Sequence, residues 1–271
     1  MAAHRMRGVS GASLAEVLDA VERSTGTLSA VGDELFSVAA VLDATPSVRR
    51  VLTDPATEPE ARSGLAAAVL GEKIDVATLG IVDVAAQNRW ASGRDLSDAI
   101  ELAGLAAHVA AADHDGSLDA LENELFESQR LIDEARELRG VLSDRSIRAE
   151  HKGTLLDSIF GGKASPAALA LLKQAAATRT GSFDAVLARF ADEVAARRQR
   201  VLAEVRSAYE LGDAELDRLA EALTSRYGHE VHLNVIVDPT IVGGLRVAIG
   251  DDVIDGTVSG RLEDARRQLA G

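Results

Sequence analysis

Arg49-Arg50-Val51-Leu52-Thr53-Asp54 and Arg139-Gly140-Val141-Leu142-Ser143-Asp144 stand ninety residues apart, and the likeness between them extends well beyond both segments. Upstream, Glu34-Leu35-Phe36 falls on Glu124-Leu125-Phe126, and Val41-Leu42-Asp43 on Leu131-Ile132-Asp133. Downstream, Leu65, Val69-Leu70-Gly71 and Lys73 fall on Leu155, Ile159-Phe160-Gly161 and Lys163. Ala85-Ala86, Arg89 and Ser92 fall on Ala175-Ala176, Arg179 and Ser182. Across 34–100 against 124–190, 18 of 67 positions are identical without a gap. An alanine-rich chain produces scattered matches, but it does not keep Gly, Lys, Arg and Asp in register. The chain contains a duplicated domain.

The second copy reads as short amphipathic helices. Ser117 is placed to cap a helix carrying Leu118, Leu121, Leu125, Ile132 and Ala135 on one face. Ser146 is expected to cap another, through Leu155, Leu156 and Ile159 to the stop at Gly161-Gly162. Ser165-Pro166 pairs an N-cap with proline at the first helical position, opening a helix through Leu169, Leu172 and Ala176. Ser182 opens a long helix with Phe183, Val186, Leu187, Phe190 and Val194 inward. Residues 98–112 lie where the last helix of the first copy and the first helix of the second are both required, so one helix is expected to serve both bundles.

Beyond Arg200 the pattern changes. Val201 to Val205 reads as a strand, and Asp213 opens a helix with Leu216, Leu219, Ala220, Leu223 and Tyr227 on one face. Val231, Leu233, Val235 and Val237 alternate as a half-buried strand; Leu245, Val247 and Ile249 return, and Val253-Ile254 follow a further turn. A last helix is expected from about Thr257 to Leu269. The fold class is therefore mainly α: two tandem small helical bundles, 1–97 and 98–199, followed by a small α+β domain, 200–271.

Composition narrows the function. The formal net charge of −14 opposes binding to nucleic acid or directly to anionic lipid, both of which need a basic face. There are no cysteines, which removes thiol catalysis, disulfides and thiolate metal sites. The longest run free of charged residues, Leu102 to Ala112, is too short to span a bilayer, and the first residues lack the apolar stretch of a signal peptide. Any membrane association is expected to be indirect, through a partner, on the cytoplasmic side.

No catalytic, cofactor-binding or metal-binding residue set emerges. His229-Glu230-Val231-His232 spaces its histidines three apart at a strand entrance, whereas zinc hydrolysis needs them four apart on a helix. Asp113-His114-Asp115 reads as a polar loop before Gly116, and Asp251-Asp252 as a solvated turn. Gly243, Gly244 and Gly250 lack the Lys and Ser/Thr of a phosphate loop. Arg197-Arg198-x-Arg200 suits either an acidic partner or a helix C-terminus. Trp90, the sole tryptophan, suits core packing or a binding anchor.

The C-terminal run Val237-Asp238-Pro239-Thr240-Ile241-Val242-Gly243-Gly244-Leu245-Arg246-Val247, continuing through Ile249-Gly250-Asp251, Val253-Ile254-Asp255-Gly256-Thr257 and Gly260-Arg261-Leu262, resembles the signature of the ATP synthase delta/oligomycin-sensitivity-conferring family. Within it Asp238, Pro239, Gly243, Gly244, Gly250, Asp255, Gly256, Arg261 and Leu262 carry the likeness. Leu138-x-x-Val141-Leu142-Ser143-Asp144 and Phe160-Gly161-Gly162-Lys163 also match. The resemblance covers about 98–271; residues 1–97 look like the added helical copy of actinobacterial members.

The resemblance implies a non-enzymatic stator. The helical domain would grip the N-terminal helix of an alpha subunit of the catalytic head, and the C-terminal domain would hold the C-terminus of the peripheral-stalk b subunit. The head is thereby kept from turning with the rotor, at the cytoplasmic face of a bacterial plasma membrane. The family's groove between the first and fifth helices maps to 98–112 and 166–178, which places Leu102, Leu105, Leu169, Leu172 and Ala176 there. The family's aromatic-alanine opening of the first helix is replaced here by Asp98-Ala99-Ile100-Glu101-Leu102. An acidic helical scaffold or adaptor outside the ATP synthase is the alternative.

Overall fold

A computed structural model describes residues 6–178, 181–209, 211–227, 231–238, 240–241, 243–249 and 252–257. It divides into two units, Met1–Val194 and Ala195–Gly271. The first begins with α1 (Gly8–Glu22), α2 (Leu28–Ala44), α3 (Pro46–Leu52), α4 (Pro59–Leu70), α5 (Val76–Gln87) and α6 (Gly93–His114). It continues through α7 (Leu118–Glu134), α8 (Arg136–Ser143), α9 (Ala149–Phe160), α10 (Pro166–Ala177) and α11 (Phe183–Val201), whose last turns pass into the second unit.

The duplication is written into the element boundaries. Helices α2 to α6 each begin ninety residues before α7 to α11, and α1 overlies residues 98–112 of α6 at the same offset. Individual hydrogen bonds repeat as well. Glu34 Oε2 accepts the Asp75 N–H at 2.9 Å, and Glu124 Oε2 accepts the Ser165 N–H at 3.0 Å. Arg49 pairs with Asp43 at 3.2 Å, and Arg139 with Asp133 at 3.6 Å.

Helix α6 belongs to both copies. Leu96, Ala99, Ile100, Ala103, Leu105, Ala107, Val109 and Ala112 are all buried, so apolar residues cover more of it than one face. A helix that is apolar all round is one enclosed on several sides. Its small residues let neighbours approach closely: a methyl group added at Gly104 would come within 2.7 Å of the Phe36 ring of α2. The expected boundary at 97/98 falls inside α6, and that at 199/200 inside α11.

Two capping expectations are corrected. Ser117 stands at the N-cap of α7, yet its Oγ donates to Ala112 O at 3.3 Å instead of accepting from the new helix. Ser146 does not open α9, which begins three residues later after Arg148. Asp144 Oδ1 takes both the N–H and the hydroxyl of Ser146 at 2.8 Å, which holds Ser146 in a turn closing α8. Ser165 and Ser182 do cap, accepting from Ala168 N and Ala185 N at 3.2 and 3.3 Å. Trp90 is a core residue whose indole N–H donates to Ala85 O at 2.8 Å.

The second unit contains β1 (Leu202–Ser207), α12 (Asp213–Tyr227), β2 (His232–Val237), β3 (Leu245–Ile249) and β4 (Asp252–Asp255). The sheet order is β2-β1-β3-β4, with β1 parallel to β2 and antiparallel to β3, and β3 antiparallel to β4. Ala203, Val205, Val247 and Ile249 are buried with Leu223 of α12, and Leu219 and Tyr227 pack against them. The helix expected from Thr257 lies, beyond Thr257 itself, outside the described residues.

Candidate functional site

The fold brings the expected groove helices α6 and α10 into contact. Leu105, Leu172 and Ala176 are closed into the interior, whereas Leu102 and Leu169 are half-buried. Leu102 leans on the core of the first copy. Between the two helices Glu101 is 7% exposed; Gln174 Nε2 donates to one carboxylate oxygen at 2.7 Å and Arg189 Nη2 to the other at 3.3 Å. One carboxylate thus ties α6 to both α10 and α11. At the ninety-residue offset the first copy has Gly11, Val84 and Ala99 in these places, so this polar link is peculiar to the second copy.

Clefts open at several places among the described residues of the helical unit. One of about 570 Å³ lies where the copies meet, with Asp43, Arg94, Glu101, Lys152 and Gln174 among its walls. Another of about 470 Å³ lies in the first copy between the end of α1 and the start of α5, lined by Ala20, Ala77 and Gly80 and edged by exposed Val76. It lies between α1 and α5, the first copy's counterparts of residues 98–112 of α6 and of α10.

Arg62 and Lys152 are buried cations that no motif in the sequence singles out. Arg62 donates to Asn88 O and Gln87 O at 2.8 and 2.9 Å, and Lys152 to Leu142 O and Ala176 O at 2.7 and 3.2 Å. Burial pushes the Lys152 ammonium below the usual lysine value, opposed by Asp144 nearby. His108, 2% exposed on α6, stacks on Phe36 and sets Nε2 3.3 Å from Asp33 Oδ1. That contact holds the Asp33 carboxyl below its ordinary range.

In the α+β unit the signature residues build turns. Asp238 Oδ1 accepts the Thr240 N–H and hydroxyl at 2.9 and 2.6 Å, and Asp255 Oδ1 accepts those of Thr257 at 3.0 and 2.6 Å. These bonds hold both carboxyls below the ordinary aspartate value. Gly244 takes φ +87°, and a methyl group there would fall 2.4 Å from Gly256 O. Gly256 N in turn donates to Leu245 O at 2.9 Å, which locks the two glycines across the β3–β4 ladder. Gly243 is half-buried, and Pro239, Gly250, Arg261 and Leu262 lie outside the described residues.

Among the described residues no group of three or more His, Asp or Glu is placed to hold a metal ion, and no helix is long and apolar enough to cross a membrane. The chain is a tandem-bundle helical protein with an appended α+β domain. A family model described as ATP synthase delta (OSCP) subunit matches residues 106–269. The chain is 42% identical over 269 residues to the ATP synthase subunit delta of Kineococcus radiotolerans, spanning 97% of this chain and 98% of that one. It is 41% identical to the subunit delta of Streptomyces griseus, over 96% of this chain and 97% of the relative. It is also 41% identical to that of Thermobifida fusca, over 98% and 100%. The chain belongs to the ATP synthase delta (OSCP) subunit family. Those relatives align over nearly all of both chains, so their likeness takes in the first helical copy as well.

Proposed function

We propose that this chain is a non-catalytic stator component of a rotary, proton-translocating ATP synthase, joining the catalytic head to the peripheral stalk. The observation that supports it most is the alignment, at 41–42% identity and over nearly the whole of both chains, with proteins named ATP synthase subunit delta. In this reading the N-terminal helix of an alpha subunit lies along α6 and α10. Leu102 and Leu169 rim that groove, while Leu105, Leu172 and Ala176 support it from within. The α+β unit takes the C-terminus of the stalk b subunit, and the chain is held at the cytoplasmic face of the membrane by these partners alone. Helix-in-groove binding suits a protein built from amphipathic helices with few aromatics, and resisting torque calls for slow dissociation.

Calorimetric titration of the full chain with a peptide of the alpha N-terminal segment tests the reading. One site per chain is expected if the α6–α10 groove alone grips the head, and two if the α1–α5 cleft does the same. No heat from either the alpha peptide or the stalk C-terminus would overturn the proposal in favour of an acidic adaptor.

A further inference from the structure

Phe36 and Phe126 hold the same position in the two copies, yet their surroundings differ. Phe36 is 8% exposed, stacked on His108 at a centroid distance of 5.3 Å and seated over Gly104. Phe126 is 67% exposed on α7. The ninety-residue offset explains the difference. The position of Gly104 becomes Val194, so the second copy carries a fully buried side chain where the first has only a glycine under the ring. The second copy keeps the phenylalanine and lacks its seat.

A large exposed aromatic on a helix invites cover, and the first copy shows what fits over it: a helix presenting a small residue with a ring one turn further on. The rest of the α7 surface says what charge that helix carries. Asp119, Glu127, Asp133 and Glu134 are exposed, against a single exposed cation, Arg130, and Arg139 reaches Asp133 from α8. A second copy of this chain would bring an equally acidic face to the contact, in a protein of net charge −14. Like-charge juxtaposition disfavours that dimer, whereas a basic partner is steered in.

We infer that the α7 face around Phe126 docks a cationic amphipathic helix of another chain of the ATP synthase, a small residue of that helix lying against the ring. The inference rests on the stator reading above and adds to it a contact separate from the α6–α10 groove.

The test uses the full chain assembled in cells with a photoreactive benzoyl-phenylalanine at position 126. Irradiation of the purified complex should give one dominant cross-link, mapped by mass spectrometry to a Lys- or Arg-rich helical segment of another subunit. F126S should leave the unfolding midpoint unchanged and speed loss of the chain from the complex by about tenfold, as expected for one buried aromatic anchor. E127K with E134K should act in the same direction, most visibly at low salt. Co-purification without any cross-link from position 126, a cross-link to a second copy of this chain, or F126S retained like the wild type would each overturn the inference while leaving the stator reading intact. A chain that does not co-purify with the complex would overturn both.

Discussion

Arg62 and Lys152, ninety residues apart, place a buried cation at the C-terminal end of the fifth helix of their respective bundles. The last carbonyls of a helix have no partner within it and carry its negative end, so a cation there meets both needs at once. Arginine reaches two successive carbonyls of one helix end. Lysine, with a compact ammonium, bridges two helices, α8 through Leu142 O and α10 through Ala176 O.

Lys152→Met keeps the apolar stem but leaves those two carbonyls buried and unpaired. It is expected to destabilise the helical unit by about 2 kcal/mol in urea unfolding, the usual cost of losing hydrogen bonds to a charged group. The pH dependence gives a second readout. Folding lowers the Lys152 pKa, so between the folded value and the unfolded one near 10.4 the unfolded chain binds more protons. In that window wild-type stability should rise with pH relative to Lys152→Met, and parallel profiles would contradict the assignment.

The close approach of α2 and α6 predicts a steric cost. Gly104→Ala puts a methyl group 2.7 Å from the Phe36 ring, and overpacking of this kind costs about 1–3 kcal/mol. Adding Phe36→Leu should recover part of that loss, measurable as a coupling in a double-mutant cycle. Additive effects would mean the ring does not set the spacing.

The turn carboxylates predict acid sensitivity. Asp144, Asp238 and Asp255 are all held low by hydrogen bonds from the hydroxyl and N–H two residues on. A lowered folded pKa contributes stability above the unfolded value, near 3.9, that is lost as pH falls through the folded one. NMR titration should show the Thr240 and Thr257 amides moving only below that unfolded value. Asp238→Asn and Asp255→Asn, which still accept but cannot ionise, should flatten the response in the α+β unit. Equal acid sensitivity in wild type and variants would count against the turns.

Gly244→Ala tests the other half of the same hardware. A side chain at φ +87° is strained, and here it also meets Gly256 O. Destabilisation of roughly 2 kcal/mol or more is expected in the α+β unit, with the helical unit unfolding at its usual midpoint.

The elements differed in how plainly the sequence announced them. The ninety-residue repeat gave the helical copies and the shared helix α6, and strict alternation gave β2 and β3, because each pattern is set by which face is buried. Helix α8 leaves no such pattern: Arg136–Ser143 is eight residues long, with Leu142 its only buried residue, too short to show a period. Ser146 is ambiguous in the sequence because a serine two residues after Asp144 serves a turn as readily as a cap. Glu101, His108, Arg62 and Lys152 look like surface residues in the sequence, and only the packing of α6, α5 and α10 shows what each one ties. Arg62 and Lys152 did leave a trace, since basic residues recur at the repeat offset between otherwise unlike neighbours.

Glu101 lies in the run Asp98-Ala99-Ile100-Glu101-Leu102 of α6, the first helix of the proposed groove. Its carboxylate holds Gln174 and Arg189, and Arg189 lies over the Phe190 ring at 5.4 Å with its Nε buried and unpaired. Glu101→Ala would leave the guanidinium enclosed without its counter-charge, and breaking a buried pair from one side costs about 3–5 kcal/mol. Arg189 keeps some exposure, which places the expected loss near the lower end of that range. Removing both charges, as in Glu101→Leu with Arg189→Leu, should cost less than Glu101→Ala alone, because no uncompensated ion remains. Urea unfolding of the three proteins decides the matter: if the double variant is the least stable, the pair contributes through its charges and not merely by avoiding an orphan. On the proposed stator reading, loosening α6 from α10 should also weaken binding of an alpha N-terminal peptide more than Gly244→Ala does.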